Sequence, residues 1–137
     1  MPIETAKHDN EAEAIASQFV KAYAAADHAH MKKLLAESIV SYITNAKGEA
    51  DIIHGKDALM KRIGQSDVAG IKPLLTVTQM LTVKSGQVLF MVEIKAQHDK
   101  KTLHNHGAFL LDIENKQITA IRMVDALPAY SDEFWKT

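Results

Sequence analysis

Two adjoining segments decide the fold. They are Gln87-Val88-Leu89-Phe90-Met91-Val92-Glu93-Ile94-Lys95-Ala96-Gln97-His98 and, across Asp99-Lys100, Lys101-Thr102-Leu103-His104-Asn105-His106-Gly107-Ala108-Phe109-Leu110-Leu111-Asp112-Ile113. Successive side chains of a strand point to opposite faces. In the first segment Val88, Phe90, Val92, Ile94 and Ala96 share one face, and Glu93, Lys95 and Gln97 share the other. In the second, Phe109, Leu111 and Ile113 oppose His104, His106 and Asp112. A link as short as Asp99-Lys100 forces an antiparallel hairpin.

The same pattern continues on both sides. Runs rich in β-branched and aromatic residues at 74–84 and 117–125 join the pair through Ser85-Gly86 and Asn115-Lys116, and Pro73 ends the loop before them. In the last run Ile121 and Met123 compete with Ile118, Ala120 and Val124 for the core, so both of its faces are partly apolar. One face then lines a core or pocket and the other packs on a second subunit.

Upstream, Ala12, Ile15, Phe19, Tyr23 and Ala26 form one stripe at helical spacing, predicting a helix over 10–26 that opens on an Asn10/Glu13 capping box. Asp27 is the expected N-cap of a short second helix with Met31, Leu34 and Leu35. A third runs from Lys56 to Ile63 and stops at Gly64. Ile39 to Asn45 reads as a strand between the second and third helices, and Asp51 to His54 as a further short one. The expected class is α+β, with three N-terminal helices packed on a strongly curved antiparallel sheet and an apolar pocket between them.

The 137 residues suit a single domain over 1–137, with residues 127–137 as a C-terminal tail folding back on it. Tyr130, Phe134 and Trp135 in that tail argue for packing, because disorder goes with few aromatics. Net charge is −1 with no basic face, so nucleic acid is not an expected partner. No apolar run reaches the roughly 18 residues of a membrane span, and the start Met1-Pro2-Ile3-Glu4-Thr5 lacks an apolar leader, so we expect a cytoplasmic protein with no membrane partner. Cysteine is absent, which removes disulfides, thiolate catalysis and zinc–thiolate sites together. No Gly-rich phosphate loop or serine nucleophile elbow occurs, and no cofactor is expected.

Phe19-Val20-Lys21-Ala22-Tyr23-Ala24-Ala25-Ala26-Asp27, then Met31 to Leu35, then His54-Gly55-Lys56-Asp57-Ala58-Leu59 resembles the nuclear transport factor 2-like superfamily, and within it the SnoaL-like branch. Ile113 to Ile118 followed by Val124-Asp125 is similar to that family's last hairpin. The likeness spans about residues 10 to 126. It implies a cone-shaped α+β (cystatin-like) fold with an internal pocket, commonly a homodimer through the outer sheet face. Such folds serve isomerases, cyclases, dehydratases and hydrolases, so the fold does not choose a reaction. Where isomerases of the superfamily carry two oxyanion donors and a base, this chain has Phe19, Phe109 and Ile43, none of which donates a hydrogen bond or takes a proton. Where the cyclases carry an acid/base Asp, it has Met123.

Asp125 is the remaining carboxylate of interest. The family pattern turns it toward the pocket as a catalytic candidate; the plainer alternative is a strand-end Asp accepting backbone or tail hydrogen bonds. Phe19, Tyr23, Ile43, Phe90, Phe109 and Met123 are expected to line the pocket, with the Tyr23 and Tyr42 hydroxyls near it. Seven histidines are many, but His104-x-His106 has no third ligand nearby in sequence, so no metal site is expected. The turn at Asn115-Lys116 sets a register: a two-residue turn puts His106 opposite Asp125, whereas a three-residue turn with a bulge sends His106 outward. The second keeps Phe109, Leu111, Ile121 and Met123 on one apolar face and is preferred. The leading expectation is a small-molecule-binding domain for a hydrophobic ligand. An enzyme moving protons with Asp125, and a dimeric accessory module, are the alternatives. Leu89, Met91, Leu110 and Ala120, on the face away from the core, predict a homodimer.

Overall fold

The computed structural model describes residues 3–64 and 71–135, with side chains from Asn10 onward. Its order is α1 (Ile3–Ala24), α2 (His28–Leu34), β1 (Leu35–Thr44), β2 (Ala50–His54), α3 (Lys56–Gly64), β3 (Leu74–Lys84), β4 (Gln87–His98), β5 (Lys101–Glu114), β6 (Gln117–Asp125) and α4 (Pro128–Trp135). The class is α+β, and the described residues form four helices and one six-stranded sheet ordered β2-β1-β6-β5-β4-β3. Two helices come first, then the β1–β2 hairpin where strands were expected, then the third helix, with a fourth at the other end of the chain.

The sheet is mixed rather than antiparallel. β1 runs parallel to β6, with Ser41 beside Ile121 and Ile43 beside Met123. The other four pairings are antiparallel. Turn length dictates the direction of strands joined by hairpins, whereas β1 and β6 are distant in sequence and meet only in the assembled sheet.

α1 starts upstream of the expected Asn10, so Asn10 and Glu13 lie inside the helix and form no capping box. Its buried stripe is Ala12, Ile15, Ala16, Phe19 and Val20. The Asp27 side chain caps α2, accepting from the His30 N–H at 3.1 Å. Leu35 leaves the helix in an extended conformation (φ −96°, ψ 137°) and opens β1, so it is a strand residue rather than a helical one.

Against α1 and α2 lies the inner face of the sheet. Ile39, Val88, Phe90, Val92, Leu111 and Ile118 are at most 1% exposed there. The β3–β4 turn requires glycine at position 86. Its φ is +76°, and a Cβ would stand 2.8 Å from the Ile113 carbonyl oxygen.

The β5–β6 hairpin resolves the register. Glu114 pairs with Gln117, so the turn has two residues, Asn115 and Lys116, both with positive φ (51° and 64°) as a type I′ turn demands. A bulge then follows inside the strands. Ile113 pairs with Ile118 but Asp112 with Ala120, leaving Thr119 as the extra residue. The bulge was expected in the turn and sits beyond it instead. Its effect is the expected one: Phe109 faces Met123, Leu111 faces Ile121, Gly107 faces Asp125, and His106 points outward.

Candidate functional site

Between the helices and the inner sheet face lies a cavity of about 420 Å³. Phe19 and Tyr23 reach it from α1, Ile43 from β1, Phe109 from β5, and Met123 and Asp125 from β6. Phe90, the remaining expected lining residue, sits behind this wall. It is 1% exposed and stacks on Phe109 with ring centroids 4.9 Å apart and planes 10° from parallel. Phe19 meets Phe109 edge-on at 6.4 Å and Tyr23 at 6.2 Å, so one aromatic series runs from α1 to the sheet. Tyr42 does not approach the cavity. It lies on the outer face, with the Arg122 guanidinium 5.0 Å above its ring.

Asp125 is the acidic group at the end of β6, and it accepts two hydrogen bonds. Asn105 Nδ2 donates to Oδ1 at 2.6 Å, and the Leu127 N–H donates to the same oxygen at 2.9 Å. Its own N–H donates to Thr44 Oγ1, whose hydroxyl donates to the Met123 carbonyl, fixing the strand end against β1. Both of these bonds fall on Oδ1, and Asp125 is among the residues that line the cavity.

The sequence reading missed Asn105. It is fully buried, and its carbonyl oxygen accepts from the His106 N–H at 2.8 Å. A buried carboxamide is costly without partners, and the Asp125 carboxylate and the chain itself supply them. Alternation on β5 held the signal, because Asn105 shares the inward face of Leu103, Gly107 and Phe109.

Tyr23 is the second polar group of the cavity. Burial, and after it the negative charge of Asp125, push its phenol above the ordinary tyrosine range, so it stays protonated at neutral pH. At another part of the wall Arg62 binds Asp51 at 2.8 Å, and Asn45 Nδ2 donates to the same carboxylate at 3.0 Å. The Asn45 bond first, and then the Arg62 bond, hold the Asp51 carboxyl below its usual range.

The tail closes part of the rim. Tyr130 donates its hydroxyl to the Thr102 carbonyl at 2.6 Å and accepts from the His104 N–H at 3.0 Å, pinning α4 to the start of β5. Phe134 is buried, and the half-buried Trp135 lines the cavity with its ring 4.9 Å from that of Phe134. None of the described helices is long and apolar enough to cross a membrane.

The architecture is a cystatin-like α+β fold, shared with solved structures of ketosteroid isomerase-like and SnoaL-like proteins. Bal32a, from a soil-derived mobile gene cassette, superposes with a TM-score of 0.78 at 18% identity, covering 93% of this chain and 98% of its own. A cystatin-like-fold protein of unknown function from Xanthomonas campestris gives 0.76 at 20% identity, over 90% and 97% of the two chains. The fold is shared with a SnoaL-like polyketide cyclase from Jannaschia (0.74 at 10% identity, over 88% and 89%) and an LEH-like epoxide hydrolase of Mycobacterium tuberculosis (0.72 at 12%, over 93% and 92%). In sequence, an uncharacterized protein of Mycobacterium tuberculosis is 24% identical over 115 residues, 83% of this chain and 88% of its own. No family model matches the chain. At such identities the likeness defines the fold and leaves the chemistry to the site.

Proposed function

We propose that the protein binds a small, largely apolar molecule in the cavity and holds a polar group of that molecule on Asp125 and Tyr23. The observation that carries this reading is the cavity itself. Its 420 Å³ falls within the roughly 300–1,000 Å³ of small-molecule sites, and its aromatic wall surrounds a carboxylate already steadied by two donors. Apolar walls supply affinity, and the two polar groups select a ligand that offers a donor to Asp125 and an acceptor to Tyr23. Native mass spectrometry of freshly purified protein tests this. We expect a retained small molecule that is lost from Asp125→Asn or Phe109→Ala. A ligand-free spectrum, together with unchanged Trp135 emission across a panel of apolar acids, amines and alcohols, would overturn it.

A second reading is supported by the pairing of Asp125 with a protonated Tyr23. Asp125 takes a proton from the bound molecule, and the Tyr23 hydroxyl donates a hydrogen bond to the oxyanion that forms. The cyclase and hydrolase that share the fold make such chemistry reasonable, though they supply no residues for it. Binding retained with turnover abolished in Asp125→Asn would favour this reading over simple binding.

The outer sheet face, where Met91 is 41% and Val124 58% exposed, supports assembly of two copies. Such an interface would bury on the order of 1,200–2,000 Å² in total. A monomer mass by light scattering would exclude it.

A further inference from the structure

The outer face of β4 and β5 carries a second cluster, unconnected with the cavity. Glu93 and His106 are direct cross-strand partners, and His104 stands two residues from His106 on the same face. His104 Nε2 lies 2.9 Å from Glu93 Oε2, and His106 Nε2 lies 4.0 Å from the same oxygen. One ligand atom from each of the three falls within 4.8 Å of the other two. The imidazole centroids are 5.5 Å apart.

We propose that Glu93, His104 and His106 form a binding site for a divalent transition-metal ion, Zn²⁺ above all. Metal–ligand bonds of about 2.0–2.2 Å place neighbouring donors of a tetrahedral ion about 3.4 Å apart. The present spacings need only side-chain rotation to meet this. Both histidines are more than half exposed and free to rotate, while the paired strands fix all three Cα positions. Two imidazole nitrogens and one carboxylate oxygen are a donor set for a borderline ion; Mg²⁺ and Ca²⁺ prefer oxygen alone. Three protein ligands leave a fourth position open to solvent or to another donor.

Lys95 is the opposing group, its ammonium 3.8 Å from Glu93 Oε1. It offers a discriminating test, because a plain surface ion pair predicts nothing for its removal. In calorimetric titration of the full chain with Zn²⁺ we expect one ion per chain at micromolar free metal, with no comparable binding of Mg²⁺. His104→Ala, His106→Ala and Glu93→Gln should each weaken Zn²⁺ binding at least tenfold, while Lys95→Met tightens it severalfold. All four side chains are on the surface, so metal-free melting midpoints should stay close to the wild type. The proposal is overturned if Zn²⁺ fails to bind below millimolar concentration. Binding that survives the His104→Ala/His106→Ala double variant would overturn it equally, by locating the ion on other histidines.

Discussion

The two faces of strand β5 are built from one alternating sequence and behave as opposites. Leu103, Asn105, Gly107 and Phe109 enter the protein, whereas His104, His106, Ala108 and Leu110 leave it on the far side of the sheet. Inside, the polar member is tied to Asp125 and to the chain, because an unpartnered carboxamide there would be costly. Outside, water meets that need, so the histidines gather around Glu93 without being locked in place. The inner face thus presents polar groups held by bonds to the chain, and the outer face presents exposed ones.

The sharpest way to break this contrast is to insert one alanine between Ala120 and Ile121. Thr119 is the one unpaired residue that sets the register of β6, and one residue more would turn Met123 and Asp125 outward while Arg122 and Val124 turned in. Loss of the cooperative unfolding transition by circular dichroism is the expected result. A folded variant with wild-type stability would show that parity is set elsewhere.

Phe109→Ala and Leu110→Ala compare neighbours on opposite faces. Removing the Phe109 ring should cost about 3 kcal/mol, the low end for a phenylalanine because one side borders the cavity rather than packed atoms. Leu110→Ala, on the partly exposed face, should cost under about 1 kcal/mol in the monomer. Urea midpoints measure both, and equal losses would contradict the assignment of faces.

Asn105→Leu fills similar space and removes the donor to Asp125. We expect a loss of roughly 1–3 kcal/mol in urea unfolding, the cost of a buried partner left unsatisfied. Adding Asp125→Asn should recover little of it, because the introduced leucine offers the new carboxamide no partner either.

The smallest effect concerns acid. The Asp51 carboxyl is depressed in the folded state, so its contribution is present above its unfolded value of 3.8 and disappears as pH falls through the lower folded value. Asp51→Asn should therefore be slightly less stable than the wild type at neutral pH, with the difference vanishing in acid. Glu93 shifts in the same direction in both proteins and cancels from the comparison. A difference that grew on acidification would reverse the sign and refute the account.

Much of the fold was legible in the sequence, for local reasons. Two-residue links fixed the hairpins, alternation fixed the inner faces of β4 and β5, and the Asp27 cap opened α2. The cavity wall was legible too, since Phe19, Tyr23, Ile43, Phe109 and Met123 all reach it. Phe90 defeated the same reasoning. It has the right face, but another ring stands between it and the space, and alternation reports face rather than depth.

Sequence alone determined what depends on neighbours along the chain: which segments are strands, which side chains share a face, and which turns can close. Only the tertiary structure decided what depends on residues brought together from afar. The parallel meeting of β1 and β6 is one case, since no turn joins them. The bond from Asn105 to Asp125 is another, because one unpaired residue at the bulge sets which residues of β5 and β6 stand opposite. The third is the position of Glu93 beside two histidines it neither precedes nor follows closely. Glu93 lies on β4, and cross-strand register rather than sequence spacing brings it within reach of His104 and His106 on β5.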